Sequence, residues 1–343
     1  MSDGAADPRP GDSMPGTQKL GTQKLGTQNP GTQKPGGTHA TGSHDTGSHD
    51  RGTDGATHTV MSVLRGAEGW LAKRTIEAPK RSAELLLGKV LRMDRLELYL
   101  EHDRPLNEQE RNAMRELMVR RGDGEPVAHL LGSWSFRGHE LEVGPSVLIP
   151  RPETEELVDL AIEKLGSGSG AGKRAIDLGT GSGAIAIALA VEQADLQVLA
   201  TDASQNALAV ARNNASANNV TERVQFVHGS WWQPVPDEQV FDLVISNPPY
   251  IDPKAIDGLE DNVRRFEPPL ALFSAPGDVA SCYRELAAGL EQHLRPGGWF
   301  LAETGVGADT ASRDVFAALP FLHNVELRKD LSGHPRFVLA QRV

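Results

Sequence analysis

The sequence predicts an α/β protein: a doubly wound, mostly parallel sheet of seven strands, preceded by a small helical domain. Three observations carry that expectation. From about Glu153 short apolar runs alternate with helical segments, and a glycine-rich turn follows the first run. The last two runs also stand too close together for a parallel crossover.

The strand candidates are Arg174–Leu178, Gln197–Asp202, Val224–His228, Phe241–Ser246, Trp299–Glu303, His323–Arg328 and Arg336–Gln341. Helical segments fall between most of them, as a parallel sheet requires. Only Lys329–Pro335 joins the last two, whereas a parallel crossover needs about a dozen residues. An antiparallel C-terminal hairpin is therefore expected.

Upstream, residues 61–125 read as a helical domain. Leu85–Leu87, Val90 and Leu91, then Leu96, Leu98 and Leu100, and later Met114, Leu117 and Met118 recur at helical spacing. Asn107 followed by Glu110 fits an N-cap with its N3 partner. Residues 126–152 form a connector: Trp134–Val143 alternates around Arg137-Gly138 as a short hairpin, and Pro145, Pro150 and Pro152 follow. The sheet domain spans 153–343.

Residues 1–60 differ in kind. Gly16-Thr17-Gln18-Lys19-Leu20 recurs with variation at 21, 26 and 31, and Thr41–Asp45 repeats as Thr46–Asp50. With almost no aromatic or branched residues, such a segment cannot bury enough surface to offset its ordering entropy, so a disordered tail is expected. His39, His44, His49 and His58 have no converging carboxylates or thiols, and no metal site is expected. Met61 opens the first globular-looking stretch and is a candidate translation start.

Composition excludes several classes. The 343 residues carry a net charge of −11 and a pI near 5.5, with a mean hydropathy of −0.37. The folded remainder is near −10, because the tail holds only five basic and six acidic residues. That balance argues against a domain gripping nucleic acid by its phosphates, and no stable nucleic-acid binding is expected. Cys282 is the only cysteine, so neither an intrachain disulfide nor a cysteine-rich zinc site can form; a buried structural thiol is expected. No run approaches the roughly 20 apolar residues of a membrane helix, and no secretory signal opens the chain. A cytoplasmic protein without membrane association is expected.

Ala175-Ile176-Asp177-Leu178-Gly179-Thr180-Gly181-Ser182-Gly183 is a strand entering a glycine-rich turn and then an apolar helix, Ala184–Val191. The spacing is Gly-x-Gly-x-Gly, unlike the Gly-x-Gly-x-x-Gly of dinucleotide binders. Asp177, just before the loop, would repel a pyrophosphate but could receive a cationic amino group. Asp202 ends the next strand, where a carboxylate can accept both ribose hydroxyls. S-adenosylmethionine carries an ammonium, a sulfonium and a ribose and no phosphate, so it suits this loop. Ser230-Trp231-Trp232 offers an aromatic wall for adenine, though either tryptophan could equally pack inward.

Phe241–Ser246 then delivers Asn247-Pro248-Pro249-Tyr250 to the same sheet edge. Consecutive prolines stiffen the turn and donate no hydrogen bonds, leaving its carbonyls free. A carboxamide nitrogen is a poor nucleophile. The side-chain oxygen of Asn247 and the carbonyl of Pro248 can each accept one N–H of a substrate NH2, orienting its nitrogen and favouring the charge that grows on it. Tyr250 can stack on the planar group. No tuned base is required, since the proton can leave after transfer.

These residues resemble methyltransferases with an Asn/Asp-Pro-Pro-Tyr/Phe motif and, within them, the peptide-chain release factor glutamine N5-methyltransferases. The likeness runs from about Met61 to Val343 and includes Pro126–Gly132, Leu148–Glu155, the glycine loop, Asn247–Ile251 and Phe266-Glu267-Pro268. It implies a class I S-adenosylmethionine-dependent methyltransferase fold, Rossmann-like, acting on the glutamine of the Gly-Gly-Gln motif in class I release factors. The helical domain would help dock that partner. By the same resemblance Gly179, Thr180, Gly181, Gly183, Asp202 and Trp231 would bind the cofactor, with Asp177, Ser182 and Asn247 beside them. Asn247, Pro248 and Tyr250 would act on the substrate amide, with Pro249 in contact.

The family commonly has an acidic residue where this chain has Ser230, which puts recognition of the adenine amino group in doubt. Arg151 and Glu155 could line the substrate entrance or serve as salt bridges at a helix start. Three rivals compete. A DNA adenine-N6 or ribosomal RNA methyltransferase shares the Asn-Pro-Pro-Tyr motif but conflicts with the acidic folded part. A binding module without chemistry conflicts with an intact Asn247. A nicotinamide oxidoreductase conflicts with the glycine spacing and the terminal hairpin.

Overall fold

The computed structural model describes residues 58–166 and 170–343, all within one compact unit. Of the repeat tail expected over 1–60, residues 1–57, with His39, His44 and His49, lie outside the described residues. His58–Val60, assigned to that tail by composition, are built into the fold. Thr59 caps the first helix by accepting from Ser62 N–H, Leu106 N–H donates to the His58 carbonyl, and Val60 is fully buried.

Five helices come first: α1 (Val60–Ala72), α2 (Pro79–Leu91), α3 (Arg95–Leu100), α4 (Glu108–Gly122) and α5 (Val127–Leu131). Their apolar stripes meet in one cluster that includes Leu64, Leu71, Leu86, Leu87, Leu98, Met114 and Met118. Asn107 caps α4 as its spacing predicts. Its Oδ1 accepts from Glu110 N–H at 2.9 Å while Glu110 Oε2 accepts from Asn107 N–H at 2.9 Å, closing a capping box.

The hairpin β1 (Ser133–Phe136) and β2 (His139–Glu142) turns at Arg137-Gly138, where φ is +50° and +77°. Two successive left-handed residues match the twist of the flanking strands. Arg137 then fastens the turn to the sheet domain through Glu192, Asp159 and the Glu155 carboxylate.

The sheet domain follows with α6 (Pro152–Leu165), β3 (Arg174–Leu178), α7 (Ala184–Glu192), β4 (Gln197–Asp202), α8 (Gln205–Ala217), β5 (Val224–His228) and β6 (Phe241–Ser246). After a 3-10 turn (Pro253–Gly258) come α9 (Asp261–Phe266), α10 (Pro269–Leu272), α11 (Ser281–Ala288), α12 (Leu290–His293), β7 (Leu294–Glu303), α13 (Asp309–Ala317), β8 (Leu322–Lys329) and β9 (Pro335–Arg342). The seven strands run in the order β5-β4-β3-β6-β7-β9-β8, with β9 antiparallel to both β7 and β8. β7 starts five residues earlier than its apolar run suggests, because Leu294 pairs with Phe241 across a register shift before Trp299 pairs with Leu243.

Apolar clusters cover both faces of the sheet. Every residue of α7 from Ala184 to Ala190 is buried, which explains why this helix is apolar all round. The winding order reverses between the parallel neighbours β3 and β6: β4 and β5 are laid to one side, β7 to the other. Loops leaving the carboxyl ends of β3 and β6 therefore diverge and leave a crevice. No helix among the described residues is long and apolar enough to cross a membrane.

Asn107→Ala should destabilise the protein by about 1 kcal/mol through loss of the α4 capping box. A lowered urea midpoint at unchanged slope would report it; an unchanged midpoint would contradict it.

Candidate functional site

The crevice holds a cavity of about 310 Å³ at the carboxyl ends of β3, β4 and β6. Its size falls in the range of small-molecule sites, about 300–1,000 Å³. The glycine loop forms the floor. Gly179 and Thr180 N–H both donate to the Thr201 carbonyl at 2.9 Å, stapling the loop to the end of β4. Gly179 has φ +79°, and a Cβ there would sit 3.4 Å from the Trp231 ring. Gly183 has φ +82°, and a Cβ there would stand 3.0 Å from Ile187 and 3.2 Å from the Ala211 methyl. Glycine at 183 is thus a matter of helix packing. Asn214 on α8 secures the loop from behind, donating to the Ser182 carbonyl at 2.9 Å.

Asp202 closes one end of the cavity. Its Oδ2 accepts from Gly181 N–H and its Oδ1 from Ser204 N–H, both at 2.8 Å. Those bonds fix the carboxylate and leave lone pairs over for a ligand. Burial nevertheless pushes its pKa up, against the pull of the two N–H donors.

Asp177 lies behind the loop and does not line the cavity. It is fully buried, Thr180 Oγ1 donates to its Oδ2 at 2.6 Å, and its Oδ1 accepts nothing from the described residues. Burial pushes this carboxyl up to about 7.

The two tryptophans divide their roles. Trp231 lines the cavity at φ +48°, whereas Trp232 turns inward, stacks on His293 and donates to the Leu286 carbonyl at 2.9 Å. Ser230 also lines the cavity. So does Cys282, whose thiol is pushed up by burial and is therefore a poor nucleophile.

At the end of β6, Ser246 Oγ donates to the Leu178 carbonyl at 2.6 Å and Asn247 enters the cavity wall with Pro249. Pro248 is buried, Tyr250 is half-buried, and neither lines the cavity. The Pro248 carbonyl accepts no hydrogen bond from the described residues. The Tyr250 ring fills a slot that depends on Gly305, where a Cβ would come within 2.4 Å of the ring.

Sequence reasoning missed two residues that hold this turn. Asn247 Nδ2 donates to Thr154 Oγ1 at 3.1 Å, and Thr154 Oγ1 donates to Glu303 Oε2 at 2.7 Å. The Tyr250 hydroxyl donates to the other carboxylate oxygen at 3.4 Å. Glu303 is 2% exposed, and burial pushes its pKa up to about 7. Thr154 stands inside the Leu148–Glu155 run and Glu303 ends the strand candidate Trp299–Glu303, but nothing in the sequence joins residues so far apart in the chain. Arg151 and Glu155 prove to be tethers. Arg151 pairs with the buried Glu267 at 2.5 Å, and Glu155 Oε1 accepts from Arg137 N–H at 2.9 Å.

Comparison with known proteins decides the family. Residues 62–132 match the PrmC N-terminal domain, and residues 157–262 match the methyltransferase small domain. The release factor glutamine methyltransferase of Nitratidesulfovibrio vulgaris is 41% identical over 288 residues, covering 83% of this chain and 95% of that protein. The chain belongs to the release factor glutamine methyltransferase family. A namesake from Xylella fastidiosa is 44% identical over 248 residues, or 71% of this chain and 87% of its own length. A methyltransferase structure from Pyrococcus furiosus gives a TM-score of 0.43 at 21% identity, covering 61% of this chain and 90% of that one.

S-adenosylmethionine is the cofactor of this family's reaction, and the cavity's chemistry fits it. None of the lining residues is Lys or Arg, while Asp202 and Glu285 are carboxylates. A pyrophosphate would find no countercharge there. A cationic ligand would find the carboxylates of Asp202 and Glu285.

Asp202→Ala should raise the dissociation constant for S-adenosylmethionine by about tenfold or more, the scale of a lost hydrogen bond to a charged group. The rate at saturating cofactor should change less. Calorimetric titration beside saturated turnover separates the two, and unaltered affinity would remove Asp202 from the site.

Proposed function

We propose that this chain is a cytoplasmic enzyme that transfers a methyl group from S-adenosylmethionine to the side-chain N5 of the glutamine in the Gly-Gly-Gln motif of class I release factors. The observation that carries this reading is the tethered amide of Asn247. Its NH2 is committed to Thr154, so its Oδ1 is the atom left to receive a substrate N–H in the cavity wall.

When bound, the cofactor supplies an electrophilic methyl group on a sulfonium. Asp202, the Gly179–Gly183 loop with Ser182 among its residues, and Trp231 would hold it, with Asp177 acting from behind. Asn247 Oδ1 and the Pro248 carbonyl accept the two N–H groups of the glutamine amide and fix its plane. These acceptors also favour the positive charge that grows on nitrogen during transfer. Tyr250 and Pro249 cover the amide and keep water away. The surplus proton leaves after transfer, so the turn needs no basic residue.

The helical domain would dock the release factor. A groove of about 1420 Å³ runs between α2 and the β1–β2 hairpin and includes Lys80, Arg81, Lys89, Arg92 and Arg95. It shares Pro150 with the cofactor cavity, so a chain laid along it would lead toward Asn247. The nucleic-acid alternative is not favoured, given the folded part's net negative charge and the family to which the chain belongs.

Incubation with labelled cofactor and a purified release factor, and separately with ribosomal RNA and DNA, tests the substrate. Label should enter only the release factor, at its Gly-Gly-Gln peptide; label on nucleic acid alone would overturn the reading. Asn247→Ala should lower turnover at least about a hundredfold, the scale of a lost charge-stabilising contact, while leaving cofactor affinity largely intact.

A further inference from the structure

We infer that Glu303, acting through Thr154, is the positioning residue that sets which way the Asn247 amide faces. The inference rests on the reading of Asn247 as the acceptor for the substrate amide, and it deepens that reading.

An asparagine side chain has two orientations of nearly equal shape, differing only in whether oxygen or nitrogen faces the substrate. Substrate binding needs the oxygen. Packing cannot make that choice, so a hydrogen-bond partner must. Thr154 alone cannot make it either, because a hydroxyl donates or accepts with equal ease. A carboxylate removes the ambiguity. Ionised Glu303 can only accept, so the Thr154 proton must point at its Oε2, 2.7 Å away. Only lone pairs of Thr154 Oγ1 then remain for Asn247, and the amide must offer its NH2 at 3.1 Å. The other carboxylate oxygen takes the Tyr250 hydroxyl, so one buried group orients two residues of the Asn-Pro-Pro-Tyr turn.

The surroundings of Glu303 suit this task and no obvious other. A buried carboxylate without a cation costs several kcal/mol, yet Glu303 forms no ion pair among the described residues. Arg336 of β9 exerts an opposite charge on it, but pairs with Asp330 at 3.3 Å. Glu153 of α6 adds like charge, Tyr250 contributes its hydroxyl, and Tyr283 of α11 donates to the Glu303 main-chain carbonyl at 3.0 Å. The carboxylate's side-chain partners are thus the Thr154 and Tyr250 hydroxyls.

Protonation would undo the arrangement. A neutral Glu303 can donate to Thr154, which frees the Thr154 proton to meet Asn247 and allows the amide to turn over. Because burial holds this carboxyl near 7, activity should be present above that pH and decline as pH falls through it.

The test uses the full chain, S-adenosylmethionine and a purified release factor. Thr154→Val keeps the shape and removes the hydroxyl; it should lower kcat about tenfold or more, the scale of one lost hydrogen bond. KM for the release factor and cofactor affinity should move much less. Thr154→Ser keeps the hydroxyl and should recover most of the loss. Wild-type kcat should show an acid limb inflecting near neutrality, absent from the residual rate of Thr154→Val. Glu303→Gln, with one acceptor oxygen where there were two, should lower kcat and lose the same limb; it decides the matter if Thr154→Val does not fold. Wild-type kcat in Thr154→Val, equal losses in the Val and Ser variants, or an acid limb unchanged in both Thr154→Val and Glu303→Gln would overturn the inference. Wild-type protein that methylates no release factor would instead overturn the reading beneath it.

Discussion

Ser246 ends β6 by donating its hydroxyl proton to the carbonyl of Leu178, the last residue of β3, at 2.6 Å. This bond sits where the two halves of the sheet part company. On one side Leu178 leads into the glycine loop; on the other Ser246 leads into Asn247. Asp177 pairs with Ile245, and Ser246 with Ala302, so the register of β6 also fixes where β7 delivers Glu303. A slip of one residue would exchange the faces of β6 and turn Asn247 away from the cavity. The Asn-Pro-Pro-Tyr turn and its tether to Glu303 depend on that alignment.

Two buried carboxyls flank this alignment, and burial raises both to about 7. They differ in what they leave open. Asp177 receives one hydroxyl and keeps an oxygen without a partner behind the loop. Glu303 has a hydroxyl on each oxygen. The first is suited to an incoming charge, the second to holding neighbours still. Their local cost is carried by sheet packing that covers Ile176, Val244 and Phe300 completely.

Much of this was legible in the sequence because it is local. Strand–helix alternation located the sheet, and the strands Arg174–Leu178, Gln197–Asp202, Val224–His228 and Phe241–Ser246 occur with those bounds. The short Lys329–Pro335 link forced the terminal hairpin. The Asn-Pro-Pro-Tyr turn stood out as a local motif, and its Asn247 and Pro249 do line the cavity. What stayed hidden depends on distant partners. Thr154 and Glu303 meet only after the sheet has formed. Adjacent tryptophans have no local pattern saying which one faces the cavity; Trp231 lines it while Trp232 packs on His293 and Leu286. Asp177 could be read as near a ligand, but its full burial behind Thr180 follows from tertiary packing. The place of His58 in the fold depends on a contact with Leu106, invisible in composition.

The Thr154–Glu303 tether also bears on how this sequence can drift. The motif this turn resembles admits aspartate as well as asparagine at its first position. In this chain a carboxylate at 247 would face Thr154 lone pairs, with the negative charge of Glu303 directly behind them. The substitution looks conservative on paper, yet here it requires Glu303 to take up a proton and the Thr154 hydroxyl to reverse. The three positions are spread across the sequence and joined in space. Lineages that hold asparagine at the turn by this tether should keep a hydroxyl at the first and a carboxylate at the last, while those with aspartate should have lost at least one of them.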